Sequence, residues 1–218
     1  VLNMGTLSER TVQSMLAAGK EANRLGRPVV FDPVGVGASR FRNETAEMLL
    51  REVRFDVIKG NSSEIAHLAE GSGTTKGVDA NLDALSTEGN LNRHADRARK
   101  VSARTGAVIV ISGPIDIVAD SHEAWAIRNG HPMMAKITGT GCMSAGIIGC
   151  CVGANPQALL PSCACAMSVM GVCGELAYER LLPVEGGSGT YRVFLMDAVS
   201  RLDGVTLTRR SRAERLRI

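Results

Sequence analysis

The chain has 218 residues, of which 44% are hydrophobic, and this length suits one sizeable α/β domain or two small ones. Its net charge of +3 comes from the C-terminus, because five arginines lie in the last ten residues and only Glu214 opposes them. The rest carries a net charge of −1, which gives no indication of a nucleic-acid-binding surface. We interpret residues 209–218 as a solvated or frayed basic tail, with a nucleic-acid or membrane-surface arm as the alternative.

The six cysteines all follow residue 141 and mostly obey a helical, apolar pattern. Because no C-x-x-C or Cys/His spacing is present, this pattern indicates small core side chains in a reducing compartment rather than a disulfide framework or a zinc site. We recognise no N-terminal signal peptide and no uninterrupted apolar stretch of membrane length. We therefore expect a cytoplasmic protein.

The first half of the chain alternates strand and helix patterns. The predicted elements are a strand at residues 1–3, a helix from the Ser8 cap to about Gly26, a strand at 29–31, a helix at 43–52, a strand at 56–58, and a helix at 65–69 capped by Asn61 or Ser62. Such units predict parallel strands joined by right-handed crossovers.

After a polar, glycine-rich loop at residues 71–80, the pattern changes. The predicted elements are a charged helix at 90–105, a very apolar strand at 108–111, an antiparallel hairpin at 116–120 and 124–127, and helices at 142–152, 156–181 and 190–202. Since no internal repeat or linker interrupts the series, we predict one α/β domain over residues 1–208, with antiparallel strands at one edge of a mostly parallel sheet.

Residues 136–146, K-I-T-G-T-G-C-M-S-A-G, are predicted to run from a strand end through a turn into a helix that begins near Gly141. Gly139 and Gly141 allow close backbone approach, and Thr140 adds a hydroxyl donor. The helix N-terminus directs unpaired N–H groups at the same point, which suits an anion. The alternative is a structural helix start in which Cys142 is a small buried side chain.

Charged and polar side chains also follow the apolar strands at their presumed carboxyl ends, where open α/β sheets bind ligands. Asp32 and Glu64 carry the hard oxygens that suit Mg²⁺, and Lys59 carries a charge that suits phosphate. Taken singly, Asp32 is explained as a turn residue and Glu64 as a first-turn partner of a helix dipole. Together with the anion-binding turn they indicate phosphoryl transfer from a magnesium nucleotide. The sequence has neither a Walker A motif nor a G-x-G-x-x-G fingerprint.

Five ordered motifs resemble those of the hydroxyethylthiazole kinase family, within the ribokinase-like superfamily. They are residues 3–7 (N-M-G-T-L), 32–38 with Phe41 and Arg42 (D-P-V-G-V-G-A), 59–65 (K-G-N-S-S-E-I), 76–79 (K-G-V-D) and 138–142 (T-G-T-G-C). The resemblance extends from Val1 to about Leu202. It implies a ribokinase-like three-layer α/β sandwich and a phosphotransferase that uses an alcohol group as acceptor.

The resemblance also implies roles for particular residues. ATP would phosphorylate the hydroxyl of 4-methyl-5-(2-hydroxyethyl)thiazole in thiamine synthesis, with Gly139, Thr140 and Gly141 forming the anion hole and Cys142 in the position of the usual aspartate base. Gly139 would also lie near the substrate. Lys59, Ser112 and Asn61 would contact ATP, and Asp32 and Glu64 would handle Mg²⁺. The family is typically a homotrimer with sites between subunits.

Two departures from the family pattern leave alternatives open. Ser112-Gly113-Pro114 replaces a frequent Thr-Gly-Glu, and the family's N-terminal segment, which lines the thiazole pocket, precedes the position that matches Val1. The alternatives are another ribokinase-like kinase, such as hydroxymethylpyrimidine kinase, or a truncated, non-catalytic nucleotide-binding protein. A cysteine hydrolase that pairs Cys142 with His67 or His131 is a further alternative, without a recognisable triad motif.

Overall fold

The computed structural model describes residues 1–70 and 85–217. The strands are β1 (Leu2–Asn3), β2 (Val30–Asp32), β3 (Val57–Asn61), β4 (Val108–Ser112), β5 (Asp116–Ala119), β6 (Ala124–Ile127) and β7 (Ala213–Arg215). The helices are α1 (Glu9–Arg24), α2 (Arg40–Glu52), α3 (Ser62–Glu70), α4 (Leu91–Thr105), α5 (Thr140–Ala154), α6 (Leu159–Leu181), α7 (Ser188–Arg201) and α8 (Gly204–Arg210). The predicted loop at 71–80 and the motif at 76–79 lie outside the described residues.

The seven strands form one sheet whose spatial order follows the chain, from β1 to β7. The first four strands are parallel, and β5, β6 and β7 continue the sheet in antiparallel pairs. The predicted mixed sheet with an antiparallel edge and the predicted hairpin are therefore confirmed. Because β1 to β4 are parallel, their carboxyl ends lie side by side at the same end of the sheet.

Helices cover both faces, so the molecule has three layers. Phe31, Ile58 and Ile109 point to the face that packs against α1 to α4. Their strand neighbours Val57 and Val108 point to the opposite face, which packs against α5 and α6. Buried strands with apolar residues on both faces are expected where helices cover a parallel sheet.

The long helix α6 forms the centre of the second helical layer. It contacts the sheet on one side, and its other side packs against α7 through Cys173, Ala177, Tyr191 and Leu195. Residues Leu159–Val184 are long and apolar enough to cross a membrane, but two thirds of the most apolar window is buried inside the protein. This burial explains the apolar composition of α6 as that of a core helix.

Three sequence interpretations differ from the structure. β3 continues through Lys59 and Gly60 to Asn61, because residues 57–61 pair with residues 108–112 along the whole length of β4. A 3₁₀ turn at Pro132–Lys136, rather than a strand, precedes the glycine-threonine turn. The arginine-rich terminus is not frayed, since β7 pairs with β6 and forms the last strand of the sheet.

The cysteines differ in exposure, and all six are free thiols. Cys163 and Cys173 are buried, as the apolar pattern predicts, Cys151 is partly buried, and Cys142, Cys150 and Cys165 are exposed. The interpretation as core side chains is therefore wrong for the three exposed cysteines. Cys142 is exposed because it lies at the start of α5, next to the sheet edge.

Candidate functional site

Asp32, at the end of β2, is the buried centre of the candidate site. Its Oδ2 accepts a 2.8 Å hydrogen bond from Asn3 Nδ2, and its Oδ1 lies 3.8 Å from Lys59 Nζ with no hydrogen-bond partner among the described residues. Burial raises the pKa of Asp32 to about 6; the Lys59 ammonium opposes that rise and Glu64 adds to it. An unpaired buried carboxylate oxygen is costly unless a ligand or ion completes it.

Lys59 connects the strand ends to the glycine-threonine turn. Its side chain is buried, and a Cβ added to Gly141 would lie 3.2 Å from Lys59 Nζ. The ammonium therefore lies against the first turn of α5 while it pairs with Asp32. The two parts of the predicted site, the strand-end charges and the anion-binding turn, are in contact.

Glu64, in the first turn of α3, connects the loop after β2 with the carboxyl end of β3. Its Oε1 accepts the Gly35 N–H and its Oε2 accepts the Asn61 N–H, both at 2.8 Å. Asn61 Oδ1 in turn accepts the Glu64 N–H and the Ser63 hydroxyl, which is the predicted capping role. Glu64 thus holds the loop after β2 against the carboxyl end of β3, a role that its position as a dipole partner does not reveal.

The turn before α5 has the backbone geometry that its glycines predict. Gly139 is the N-cap with φ of +94°, a left-handed conformation that favours glycine, and nothing lies within 4 Å of the Cβ that a substitution would add. The Thr140 hydroxyl donates to Met134 O at 3.5 Å. Cys142 Sγ accepts from Asn3 Nδ2 at 3.4 Å, so the same amide group contacts Asp32 and the thiol.

A pocket of about 470 Å³ lies beside this turn. Its walls are the β4–β5 turn, the loop after β6, the start of α5 and the middle of α6. The lining includes Ser112, Gly113, Asp116, Asn129, Gly130, His131, Met134, Thr140, Gly141, Met167 and Met170. The volume and the mainly apolar lining are typical of a small-molecule or cofactor pocket. Of the predicted residues, Ser112, Thr140 and Gly141 line it, whereas Lys59 reaches it only through its contact with Gly141.

Asn3, Arg42 and Asp116 contribute to the site without a role assigned from the sequence. Arg42 Nη1 donates to Met4 O and Val34 O, both at 2.6 Å, and so ties the loop after β1 to the loop after β2. Asp116 is buried in the pocket wall and accepts the Gly113 N–H at 2.9 Å. Burial raises its pKa to about 7, while the Gly113 bond and Lys59 act in the opposite direction. The sequence signal for Asp116 was a carboxylate at the start of an otherwise apolar strand.

The two histidines of the hydrolase alternative make other contacts. The His131 ring stacks on Tyr178 with centroids 3.5 Å apart, and His67 lies beside Gly37. Within the described ranges, Asn3 is the hydrogen-bond partner of Cys142, and neither histidine is. The geometry therefore gives no support to a Cys-His pair. The described residues also contain no cluster of three or more metal-ligating side chains of the His, Cys, Asp and Glu types.

The three-layer fold is the one found in small-molecule kinases of the ribokinase-like type. Bacillus subtilis pyridoxal kinase, in an ADP complex, has a related fold, with a TM-score of 0.51, 19% identity and coverage of 74% of this chain and 59% of that one. The hydroxyethylthiazole kinase protein of Pyrococcus horikoshii superposes with a TM-score of 0.82 at 28% identity, covering 99% of this chain and 76% of that one.

Sequence comparison identifies the family. The model of the hydroxyethylthiazole kinase family matches residues 1–204. The hydroxyethylthiazole kinases of Desulfovibrio desulfuricans and Clostridium acetobutylicum are 52% and 48% identical, over 100% and 98% of this chain and 79% and 78% of their own lengths. The chain belongs to the hydroxyethylthiazole kinase family, as the five motifs predicted, and is an alcohol-group phosphotransferase.

Proposed function

We propose that this protein transfers the γ-phosphoryl group of ATP to the hydroxyl of 4-methyl-5-(2-hydroxyethyl)thiazole, a reaction of thiamine synthesis. The acceptor is the one that the relatives' names give. The observation that carries the chemistry is the contact of the buried Lys59 ammonium with both Asp32 and the α5 N-terminus. This arrangement concentrates positive potential where a transferring phosphoryl group needs it.

The α5 N-terminus is the proposed anion hole. As the acceptor oxygen bonds to the γ-phosphorus, the bond to the β–γ bridging oxygen breaks and ADP leaves. The N–H groups of Gly139, Thr140 and Gly141 and the Lys59 ammonium then stabilise the charge on the phosphoryl oxygens. Cys142 orients the acceptor hydroxyl, and in its thiolate form it takes up the hydroxyl proton and becomes a thiol; a loose transition state requires little proton abstraction early.

The pocket between the β4–β5 turn and α6 is the proposed nucleotide site. Its methionines present an apolar surface to the base, and Ser112 and Thr140 supply hydroxyl groups toward the phosphates. Lys59 and the backbone of Asn61 approach the phosphates from the carboxyl end of β3. We place the acceptor alcohol on the other side of the turn, near Gly139 and Cys142.

Asp32 and Glu64 suit a magnesium ion that accompanies ATP. Asp32 Oδ1 is the unpaired buried oxygen, whereas both Glu64 oxygens already accept backbone N–H groups. Mg²⁺ in nucleotide sites keeps several waters and uses one or two carboxylates with the phosphates, so this donor set fits direct or water-mediated binding. When bound, the ion neutralises phosphate charge.

Asp32→Ala should raise the Mg²⁺ concentration for half-maximal rate; an unchanged titration contradicts the assignment.

The function is tested by phosphorylation assays with two alcohols. Hydroxyethylthiazole should be phosphorylated in preference to hydroxymethylpyrimidine, and Cys142→Ala should lower kcat by about 10²–10³-fold with a smaller effect on ADP affinity. Cys165→Ala, at a second exposed thiol on α6, is the matched control. A preference for the pyrimidine alcohol indicates the other kinase, and nucleotide binding without turnover indicates a non-catalytic protein.

We further propose that the protein acts in the cytoplasm as a homotrimer. Val193 and Met196 lie three residues apart on α7 and are 58% and 56% exposed, so α7 presents an apolar strip at the surface. Leu182 and Val184, just before α7, are also exposed. We expect the subunits of the trimer that the family resemblance implies to bury this exposed strip between them.

A further inference from the structure

The chain after residue 204, which lies outside the match to the family model, is part of the folded sheet. β7 pairs with β6 from Ala213 to Arg215, and the Leu216 N–H extends the pairing to Ala124 O at 2.8 Å. At the other end, the Arg128 N–H donates to Arg212 O at 3.1 Å. The pairing therefore continues up to the loop that follows β6.

A buried asparagine carries this pairing into the loop. Asn129 is 3% exposed; its Nδ2 donates to Arg210 O at 2.8 Å, and its Oδ1 accepts the Arg212 N–H at 2.6 Å. One side-chain amide thus satisfies two backbone groups of the C-terminal segment. Buried polar groups bonded on both sides hold their partners in a single arrangement.

Glu175 of α6 closes the arrangement from the other side. Its Oε1 accepts the Gly130 N–H at 2.9 Å and the Arg212 guanidinium at 2.5 Å. The same guanidinium donates to Arg128 O at 2.6 Å. Arg212 and Glu175 therefore enclose residues 128–130 between the terminal strand and α6.

The enclosed loop is a wall of the proposed nucleotide pocket. Asn129, Gly130 and His131 line that pocket. A Cβ on Gly171 of α6 would lie 2.5 Å from Asn129 Cβ, so the loop packs closely against the helix. Gly130 has φ of +131°, a conformation that other residues rarely adopt. The position of this wall depends on contacts from the C-terminal segment and from α6 together.

We propose that the C-terminal arginine segment is a working part of the nucleotide site, in which Arg212 and Glu175 are positioning residues for the loop at 129–131. This inference rests on the proposed kinase function and its nucleotide pocket. Arg212 acts through the loop and does not belong to the phosphoryl-transfer centre. Its removal should weaken binding that the ground state and the transition state share, which raises KM and leaves kcat near the parent value.

The test is Arg212→Ala in the full chain. We expect KM for ATP to rise about tenfold with kcat within about twofold of the parent, since charged hydrogen bonds are lost. Arg215→Ala is the matched control, because Arg215 lies on the same segment but pairs with Glu123 at 2.6 Å, at the opposite end of β6. Equal KM changes in the two variants, or a loss confined to kcat, would overturn the proposal.

Nucleotide binding keeps this test separate from the identity of the acceptor. Titration calorimetry with ADP should show about tenfold weaker binding for Arg212→Ala than for the parent and for Arg215→Ala. If the parent binds ADP but does not phosphorylate hydroxyethylthiazole, the proposed acceptor is wrong and the positioning role stands on the binding data. If parent and Arg212→Ala bind ADP equally, the positioning role alone is wrong.

Two further measurements distinguish a specific effect on the loop from a general loss of structure. They are the kinetics of Glu175→Gln and the fluorescence of the single tryptophan. Glutamine keeps an acceptor for the Gly130 N–H but lacks the charge that pairs with Arg212, so its KM should lie between those of the parent and Arg212→Ala. Trp125 pairs with Arg215 in the ladder, and its emission reports whether β7 stays in place. Unchanged emission with a raised KM supports the role of the loop. A red shift and a raised KM common to Arg212→Ala and Arg215→Ala would contradict it.

Discussion

At the scale of single residues, Asn3 is the group that unites the site. Its amide N–H groups reach Asp32 Oδ2 at 2.8 Å and Cys142 Sγ at 3.4 Å, while its Oδ1 accepts the Gly5 N–H at 2.7 Å. The bond to Gly5 fixes which way the amide faces, because only its oxygen accepts. Asn3 therefore sets the relative position of the carboxylate and the thiol, which come from residues far apart in the sequence.

We expect Asn3→Ala to lower kcat by about tenfold with little change in KM for ATP, because misplacement of the reacting groups affects the transition state more than nucleotide binding. Steady-state kinetics with the thiazole alcohol measure both constants. The matched control is Asn23→Ala, whose amide bonds the Arg54 backbone on both sides, away from the site. That control should lower the melting temperature without lowering kcat. A drop in kcat of similar size in both variants would show that Asn3 is only structural.

Asp116 gives a pH-dependent prediction for stability. Its pKa in the folded protein is about 7, above the usual 3.8, so the native state holds its proton more tightly than the unfolded state. The free energy of unfolding therefore falls as pH rises from about 4 to 7, and the full penalty remains at pH 8. Asparagine cannot ionise and can still accept the Gly113 N–H. Between pH 5 and pH 8, the free energy of unfolding of Asp116→Asn relative to the parent should therefore rise by on the order of 2 kcal/mol. This change corresponds to a gain of several degrees in Tm relative to the parent.

Thermal unfolding at the two pH values tests this sign. Asp203 is a useful contrast, because the Thr206 N–H lowers the pKa of that exposed helix cap. Asp203→Asn should therefore keep a constant stability difference from the parent between pH 5 and pH 8, because the Asp203 carboxylate is ionised in both the folded and the unfolded state across this range. An Asp116→Asn advantage that is the same at pH 5 and pH 8 would mean that the native carboxyl group is already ionised at pH 5, so that burial does not raise its pKa.

At the scale of elements, the start of α5 depends on two glycines for different reasons. Gly139 needs a left-handed backbone, whereas Gly141 leaves room for the Lys59 ammonium. A methyl group at Gly141 would push the Lys59 ammonium by a few tenths of an ångström from the proposed anion hole without removing any charge. Gly146, in the middle of the same helix, has nothing within 4 Å of an added Cβ.

We expect Gly141→Ala to lower kcat by about tenfold while Tm changes little, because the Lys59 ammonium is slightly misplaced and alanine favours the helix. Gly146→Ala is the matched control and should raise Tm slightly with unchanged kcat. Kinetics and thermal melts on the two variants separate the effects. If Gly141→Ala keeps full kcat, the Lys59 ammonium is not part of the phosphoryl site.

The sequence predicted the elements better than their ends and contacts. Periodicity and capping located α1, α4 and the β5–β6 hairpin, because these depend on local chemistry. The extension of β3 to Asn61 was missed, since its pairing with β4 overrides the turn-like composition of K-G-N-S-S. Strand β7 in the arginine-rich terminus was missed because its partner strand β6, and the glutamates that pair with Arg212 and Arg215, are distant in the sequence.

The candidate site was predicted in part for the same reason. Strand-end position and residue type indicated Asp32, Lys59 and Glu64, and glycine spacing indicated the turn before α5. Sequence alone does not reveal that Lys59 Nζ lies against Gly141, or that Asn3 bridges Asp32 and Cys142, because these contacts join segments that are distant in the sequence. The five-motif resemblance supplied what local physics could not, namely the acceptor.

At the scale of the whole molecule, the two helical layers have different tasks. Helices α1 to α4 and their sheet face form a continuous apolar core. The opposite layer carries α5, the methionines of the pocket, and the exposed strip of α7. The proposed catalytic turn and the proposed subunit contact therefore belong to the same half of the protein.

We expect Val193→Glu combined with Met196→Glu to convert a trimer into monomers, because charges on the apolar strip would have to be buried. Size-exclusion chromatography with light scattering measures the mass directly. Leu25→Glu, at an exposed leucine at the end of α1, is the matched control and should leave the mass unchanged. A parent that elutes as a monomer, or a double variant that remains trimeric, would contradict the proposed assembly.

The spatial order of the sheet, which repeats the order of the chain, has a consequence for how the protein folds during synthesis. From β1 to β6 each new strand pairs with the one made just before it, so this part of the sheet can grow in step with translation. Helix α5, which brings the proposed anion-binding turn to Lys59, is made only after these six strands, and β7 is made last. The nascent chain therefore makes six of the seven described strands before the proposed phosphoryl-binding turn, and the terminal strand is added after that turn.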